Sequence, residues 1–266
     1  MILSIFFALC TVLATVATYT FSKGLSHWWV LPIAVGYYLA SIVIYLLVLY
    51  LVSLLMSKKK PIEKPKMICR FFIVITMRYL MSVMGARIRL IGKEKLPKEP
   101  CVLVSNHLSA FDPMLTLAAL PERKLAYISK ESNLKIPIVG AFIHHAGFHA
   151  IDRENGMRAL RTLKHAAEVM QSSGIDMGIY PEGTRSRTGE LLEFKTGAFL
   201  LAKRSGAPLV IMTTKGSADV PKNFLHKTTD VELEILEVLD AEKVKELSID
   251  DLSVYVRGVI EEDLKK

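Results

Sequence analysis

Along the 266-residue chain the apolar positions follow two regimes. From Ile2 to Phe21 and from Trp28 to Met56 they run almost without interruption, and Lys23 is the one Lys, Arg, Asp or Glu among the first 56 residues. A helix of ~20 apolar residues matches the hydrocarbon thickness of a bilayer, so each run predicts a membrane span. The stretch "SKGLSH" between them predicts a short turn. A cleaved signal peptide is the alternative for the first run, but it lacks a basic start and a clear small-residue cleavage site. A transmembrane helical hairpin is therefore expected.

Beyond Gly85 the periodicity changes. "ARIRLIG" alternates as a half-buried strand does, and "CVLVS", "KLAYIS", "GIDMGIY" and "GAPLVIMT" read as further strands. In "GMRALRTLKHAAEVMQSSG" the positions Met157, Leu160, Leu163, Ala167 and Met170 make a helical stripe that Gly174 ends. Strand alternating with helix predicts an α/β domain with a mainly parallel sheet flanked by helices. The chain thus divides into two transmembrane helices (residues 1–56), a basic linker with an interfacial helix (57–85) and an α/β domain (86–266).

Charge adds an orientation. Lys58, Lys59, Lys60, Lys64, Lys66 and Arg70 follow the second apolar run, whereas the turn offers only Lys23, so the positive-inside rule puts the α/β domain in the cytoplasm. "SKKKPIEKPK" reads equally as a solvated stop-transfer flank and as a magnet for anionic headgroups, each cation being worth ~1 kcal/mol near such a surface. In "MICRFFIVITMRYLMSVMG" Arg70 and Arg78 fall within about a quarter-turn of one another. This helix either lies in the membrane interface or packs on the domain with its arginines snorkelling. A net charge of +8, with 51% apolar residues, suits anionic lipids and phosphorylated substrates and gives no sign of nucleic acid beyond generic charge. Cys10, Cys69 and Cys101 show no metal-ligand spacing, are odd in number and are expected to be free thiols.

Candidate chemistry gathers where strands end, since ligands of such sheets collect beyond the carboxyl ends. "VLVSNHLSAFDPML" runs from an apolar strand into His107, then to Asp112 and Pro113, which read as the N-cap and first position of a helix. Five residues apart inside one helix the two side chains diverge by about 140°, but a loop lets the histidine fold back onto the aspartate as a base and its orienter. A surface histidine beside a helix cap is the plain alternative. Metal ligation with His144, His145 and His149 is another, although no H-E-x-x-H spacing supports it. No G-x-S-x-G elbow is present, so a substrate hydroxyl is the expected nucleophile. "GFHAIDRENG" and "IYPEGTRSRTGE" put Arg153 and Arg185 at further strand ends, where a guanidinium fork suits a phosphate and Gly183 permits tight curvature. Each also reads as a turn with a solvated arginine.

"NHLSAFD" matches the N-H-x-x-x-x-D signature of the glycerolipid acyltransferase superfamily, "GFHAIDR" resembles its second block, "YPEGTRS" its third and "APLVIM" its fourth. The two-span start, the size and the third block resemble the bacterial 1-acylglycerol-3-phosphate O-acyltransferases. Tyr180 stands where that family usually has phenylalanine, and Ile211 where a second proline is usual. The resemblance implies that His107, oriented by Asp112, removes the proton of the sn-2 hydroxyl of lysophosphatidic acid as it attacks acyl-ACP or acyl-CoA. The products are phosphatidic acid and a free thiol, with the thioester as co-substrate and neither cofactor nor metal. Arg153, Glu182, Gly183, Thr184 and Arg185 are implied at the phosphate, Glu182 ordering the arginines, with Lys130 in "SKESNLKIPIVG" a further contact and Lys195 a weaker one. Backbone N–H groups around the helix after Asp112 are expected as oxyanion donors. Membrane lipids and acyl carrier protein or a CoA thioester are the implied partners, and the cell membrane the implied location. Acylation of glycerol 3-phosphate or another lysolipid, lipid hydrolysis and non-catalytic lipid binding are the rival functions.

Overall fold

The computed structural model describes residues 2–22, 26–58 and 61–266. Lys23, Lys59 and Lys60, on which the charge asymmetry partly rests, lie outside the described residues, as does half of the predicted turn. The chain splits into two units, Met1–Lys59 and Lys60–Lys266.

The first unit consists of α1 (Ile2–Phe21) and α2 (Val30–Leu54). Both are long and apolar enough to cross a membrane. They pack on each other through Phe7, whose ring meets Tyr38 edge-on at 6.1 Å and Tyr45 at 5.7 Å, and through a 2.6 Å hydrogen bond between Thr18 and Tyr37. Their other faces expose Ile5, Phe6, Leu9, Leu47 and Leu51. Such surfaces suit lipid rather than water, which fits membrane association.

The second unit begins with α3 (Met67–Val83), which buries Cys69, Ile73, Val74 and Met81. Its two arginines part company. Arg70 donates to the carbonyls of Leu120 and Pro121, and Arg78 is exposed. The helix therefore packs on the domain along one stripe while keeping Ile68 and Phe71 outside.

Seven strands follow: β1 (Ala86–Ile91), β2 (Val102–Ser105), β3 (Leu125–Lys130), β4 (His149–Ile151), β5 (Asp176–Ile179), β6 (Leu209–Lys215) and β7 (Thr229–Leu239). They form one sheet of order β1-β7-β6-β2-β5-β3-β4, in which only the β6/β7 pair is antiparallel. Between them come α4 (Asp112–Ala119), α5 (Val139–His145), α6 (Gly156–Ser173), α7 (Leu200–Ser205) and α8 (Val220–Asn223), and after β7 come α9 (Ala241–Glu246) and α10 (Ile249–Leu264). Right-handed crossovers from β2 to β3 to β4 move one way across the sheet and those from β4 to β5 to β6 move back, which puts α4 and α5 on one face and α6 and α7 on the other. Strands β2 and β5, buried at every position, form the middle of the core.

Two expectations need adjusting. In α6 the stripe buries Leu163, Ala167 and Met170, joined by Ala166 and Val169, but Met157 and Leu160 are exposed. The first turns of α6 follow β4, a three-residue edge strand beyond which there is no further sheet to cover them. The segments read as strands stop at residue 213, whereas β7, the longest strand, alternates buried Thr229, Val231, Leu233 and Ile235 with exposed or half-buried acids.

Candidate active site

The site is built where β2 ends. Asn106 is buried there, and its side chain imitates a strand residue: Nδ2 donates to the Thr214 carbonyl at 2.9 Å and Oδ1 accepts from the Thr214 N–H at 2.8 Å. Clamped to β6 in this way, the chain turns at His107. Both backbone groups of His107 are then taken by the loop after β5, the N–H donating to Glu182 Oε1 at 2.6 Å and the carbonyl accepting from Ser186 N–H at 2.8 Å. The main chain of His107 has no freedom left.

Its ring is held as firmly. Nδ1 lies 2.7 Å from Asp112 Oδ2, and the same oxygen accepts from the N–H groups of Leu108 at 2.8 Å and Ser109 at 2.9 Å. Asp112 is fully buried and does not cap α4; its carboxylate turns back into the loop instead of forward to the helix amides. That corrects the N-cap expectation, and the cause is competition, since the loop presents three donors at one oxygen. The same commitments bear on the oxyanion. The amides of Leu108 and Ser109 serve Asp112, that of Phe111 donates to Ser109 Oγ and that of Asp112 to the Ser109 carbonyl, so these four are not free for a developing oxyanion.

With Nδ1–H given to Asp112, the lone pair of the neutral imidazole sits on Nε2. The side chain is 13% exposed, which leaves an approach from outside. Behind it lies the Tyr180 ring, stacked at 4.1 Å and 11°, and behind that the Tyr127 ring at 5.6 Å and 9°. Burial pushes the Tyr127 hydroxyl up to about 12 and the Tyr180 hydroxyl well above its ordinary value, so both stay protonated. Gly178 of β5 makes this stack possible, because a Cβ there would run into the Tyr127 ring.

Glu182 is placed differently from the expectation. Its second oxygen, Oε2, accepts from Leu192 N–H at 3.1 Å, so the buried carboxylate ties two loops together and neither arginine is its partner. Burial raises its pKa, and the His107 and Leu192 amides pull the other way.

The remaining candidates line the same edge. Lys130 ends β3, Arg153 lies just beyond β4, and Gly183, Thr184 and Arg185 follow β5. Strands β2, β5, β3 and β4 are successive neighbours, and at ~4.8 Å per strand His107 and Arg153 are separated by three steps, ~14 Å. Lys130, Arg153, Thr184 and Arg185 are exposed, and none of their side chains has a hydrogen bond or ion pair among the described residues. Partial burial draws the Arg153 pKa down, but arginine remains a cation. Gly183 adopts φ 66°, and a Cβ on it would meet Lys195 Cε at 3.0 Å. Lys195 therefore lies over the turn that carries Arg185, a closer place than its sequence position suggested.

His144, His145 and His149 are buried in α5 and β4, away from this edge, and no cluster able to hold a metal occurs among the described residues. Sequence reasoning missed the structural parts of Asn106, Tyr127 and Tyr180. Tyr180 left a signal as the tyrosine in place of phenylalanine, and Asn106 as the first residue of the N-H-x-x-x-x-D signature.

An Acyltransferase family model matches residues 87–215. The chain is similar to 1-acyl-sn-glycerol-3-phosphate acyltransferase of Saccharomyces cerevisiae, 28% identical over 193 residues that make up 71% of this chain and 63% of that one. It is also similar to the beta form of that enzyme from Homo sapiens, 40% identical over 111 residues, 42% of this chain and 40% of the relative. It thus spans less than two thirds of either curated relative. Its fold resembles the crystal structure of the 1-acyl-sn-glycerophosphate (LPA) acyltransferase PlsC from Thermotoga maritima, with a TM-score of 0.61 and 26% identity over 73% of this chain and 77% of that one.

Proposed function

We propose, since an Acyltransferase family model matches residues 87–215, that the protein transfers an acyl chain from acyl-ACP or acyl-CoA to the sn-2 hydroxyl of 1-acyl-sn-glycerol 3-phosphate. The product is phosphatidic acid, a step of phospholipid biosynthesis. One observation carries the proposal: His107 Nδ1 is bonded to buried Asp112 at 2.7 Å with Nε2 left free, on the sheet edge that also bears unpaired Arg153 and Arg185.

The chemistry follows from that arrangement. Nε2 takes the proton of the sn-2 hydroxyl as its oxygen attacks the thioester carbonyl, and Asp112 stabilises the imidazolium that forms. Collapse of the tetrahedral intermediate breaks the C–S bond, and the imidazolium returns its proton to the leaving thiolate. No acyl-enzyme is needed. The thioester already supplies an activated acyl carbon, so the reaction calls for no redox group. Arg153 and Arg185, with Lys130 and the Gly183–Thr184 turn, hold the acceptor's phosphate, and Lys195 adds a charge above that turn. Glu182 acts through His107 rather than on the substrate. The two apolar helices keep the enzyme in the cell membrane, and Lys58, Lys64 and Lys66 after the second one favour a cytoplasmic active domain.

A pair of matched acceptors tests the phosphate end. Arg153→Ala or Arg185→Ala should raise KM for lysophosphatidic acid at least tenfold and narrow its advantage over monoacylglycerol, which has no phosphate. Lysine should restore only part of the loss, since it keeps the charge without the fork. Equal loss with both acceptors in a well-folded variant contradicts the assignment.

A further inference from the structure

The two outermost strands of the sheet are β1 and β4. Strand β4 is blunted by its length of three residues, whereas β1 has six and runs beside β7 with neither a proline nor a bulge. One hydrogen bond fixes which way its main chain points. The Thr229 N–H donates to the Gly85 carbonyl, and alternate residues of a strand turn their amides to opposite sides, so Arg87, Arg89 and Ile91 address β7. Ala86, Ile88 and Leu90 turn their N–H and C=O groups the other way, where they find no hydrogen-bond partner among the described residues. Such an edge is a template for a further strand.

The side chains of the same three residues line a groove. A cavity of about 320 Å³ lies between β1, α3 and α4, walled by Ala86, Ile88 and Leu90, by Met81 and Arg78 of α3 and by Ala118 of α4. All three strand residues are half-buried, whereas β2 and β5 are buried at every position, so α3 leaves part of the apolar face of β1 uncovered. Edges are commonly guarded by a charge that points inward, and β1 carries none on this face.

Charge says what fits. Arg87 and Arg89 project from the opposite face of β1, and Arg78 stands beside the groove; all three are exposed. Arg78 and Arg87 have no acidic partner among the described residues, and Arg89 reaches only Glu232, at 3.9 Å with 77% of its side chain exposed. A strand laid along β1 therefore meets apolar surface on one face and cations on the other. A second β1 is the wrong occupant, since antiparallel pairing of two copies sets arginine against arginine. An acyl chain fills the groove and leaves the edge amides unmet.

We propose that the free edge of β1 docks an extended peptide segment of another protein, one that alternates apolar and acidic residues and adds as an antiparallel strand, its apolar side chains in the groove and its carboxylates toward Arg87 and Arg89. In the strand order β7 and β6 separate β1 from β2, and Arg153 lies toward the far edge, so a docked segment leaves His107 open. The proposal is independent of the acyl-transfer reading.

The probe is an acetylated, fluorescein-labelled peptide of alternating glutamate and valine, its anisotropy followed with the full chain in uncharged micelles. Residues opposite Ala86, Ile88 and Leu90 in an antiparallel pair point their side chains to the groove and their amides to β1. N-methylation of the valine amides should therefore weaken binding at least about tenfold, and N-methylation of the glutamate amides less than about twofold. Arg87→Glu combined with Arg89→Glu should weaken it at least about tenfold, and a peptide of alternating lysine and valine should bind that variant better than the parent. Equal effects of the two methylation patterns, or unchanged binding in the arginine variant, overturn the proposal. So does exclusion of the probe as the protein concentration rises, which assigns the edge to a second copy of the chain. No readout uses turnover, so failure of the docking site and failure of the proposed reaction are told apart.

Discussion

Asp112 carries three hydrogen bonds on one oxygen, and His107 is fixed through its N–H, its carbonyl and its Nδ1. A group held so tightly is suited to proton transfer, where misplacement is costly. His107→Ala should lower turnover ~10²- to 10⁴-fold with little change in thermal stability. Asp112→Asn should be similarly severe, because an amide in place of the carboxylate can select the wrong imidazole tautomer. Steady-state rates set beside melting curves check both. A folded Asp112→Asn variant near wild-type rate would reduce that residue to a loop staple. The pair was legible in the sequence because its spacing is local and a loop separates the two residues. Glu182 was not. Its partners, His107 and Leu192, lie 75 and 10 residues away, and only the adjacency of β2 and β5 brings the first of them in.

At the scale of elements, β5 supports the histidine through a relay of rings. Gly178 makes room for Tyr127, Tyr127 backs Tyr180, and Tyr180 backs His107. Gly178→Ala should therefore cost ~1–3 kcal/mol of stability through overpacking. It should also lower turnover although it lies away from the substrate. Adding Tyr127→Leu should recover part of the stability, which chemical denaturation of the single and double variants measures. Another element-scale effect belongs to β4. Burial, with His165 nearby, pulls the His149 pKa down to about 4. Between about pH 6.5 and pH 4 the unfolded chain binds a proton there that the folded chain refuses, so stability should fall with pH across that window, by at most about 3 kcal/mol from this group. His149→Asn should flatten the fall, as urea midpoints at pH 7 and pH 5 will report. The strands that alternate with helices were readable from periodicity. The exposed start of α6 was not, because a helical stripe records which side is apolar and not where the sheet beneath it ends.

The whole molecule joins a lipid-compatible helix pair to an α/β domain whose reactive groups share one sheet edge. Hydropathy alone revealed the first part, since a span needs only length and apolarity. The expectation that His107, Arg153 and Arg185 stand at strand ends came from the rule that parallel strands present their carboxyl ends together, whereas Lys130 came from the family resemblance; in the observed strand order β2, β5, β3 and β4 are successive neighbours. The acceptor was not legible, because unpaired cations specify an anion and not the lipid attached to it. The most direct measurement is therefore of products. Purified full-length protein in micelles is offered lysophosphatidic acid, glycerol 3-phosphate, monoacylglycerol and a lysophospholipid with a larger headgroup, each with acyl-ACP and with acyl-CoA, and the lipids are identified by mass spectrometry. The expected result is phosphatidic acid from lysophosphatidic acid, formed in step with free thiol and lost in His107→Ala. Release of free fatty acid without acylated lipid, or preferential acylation of glycerol 3-phosphate, would contradict the account.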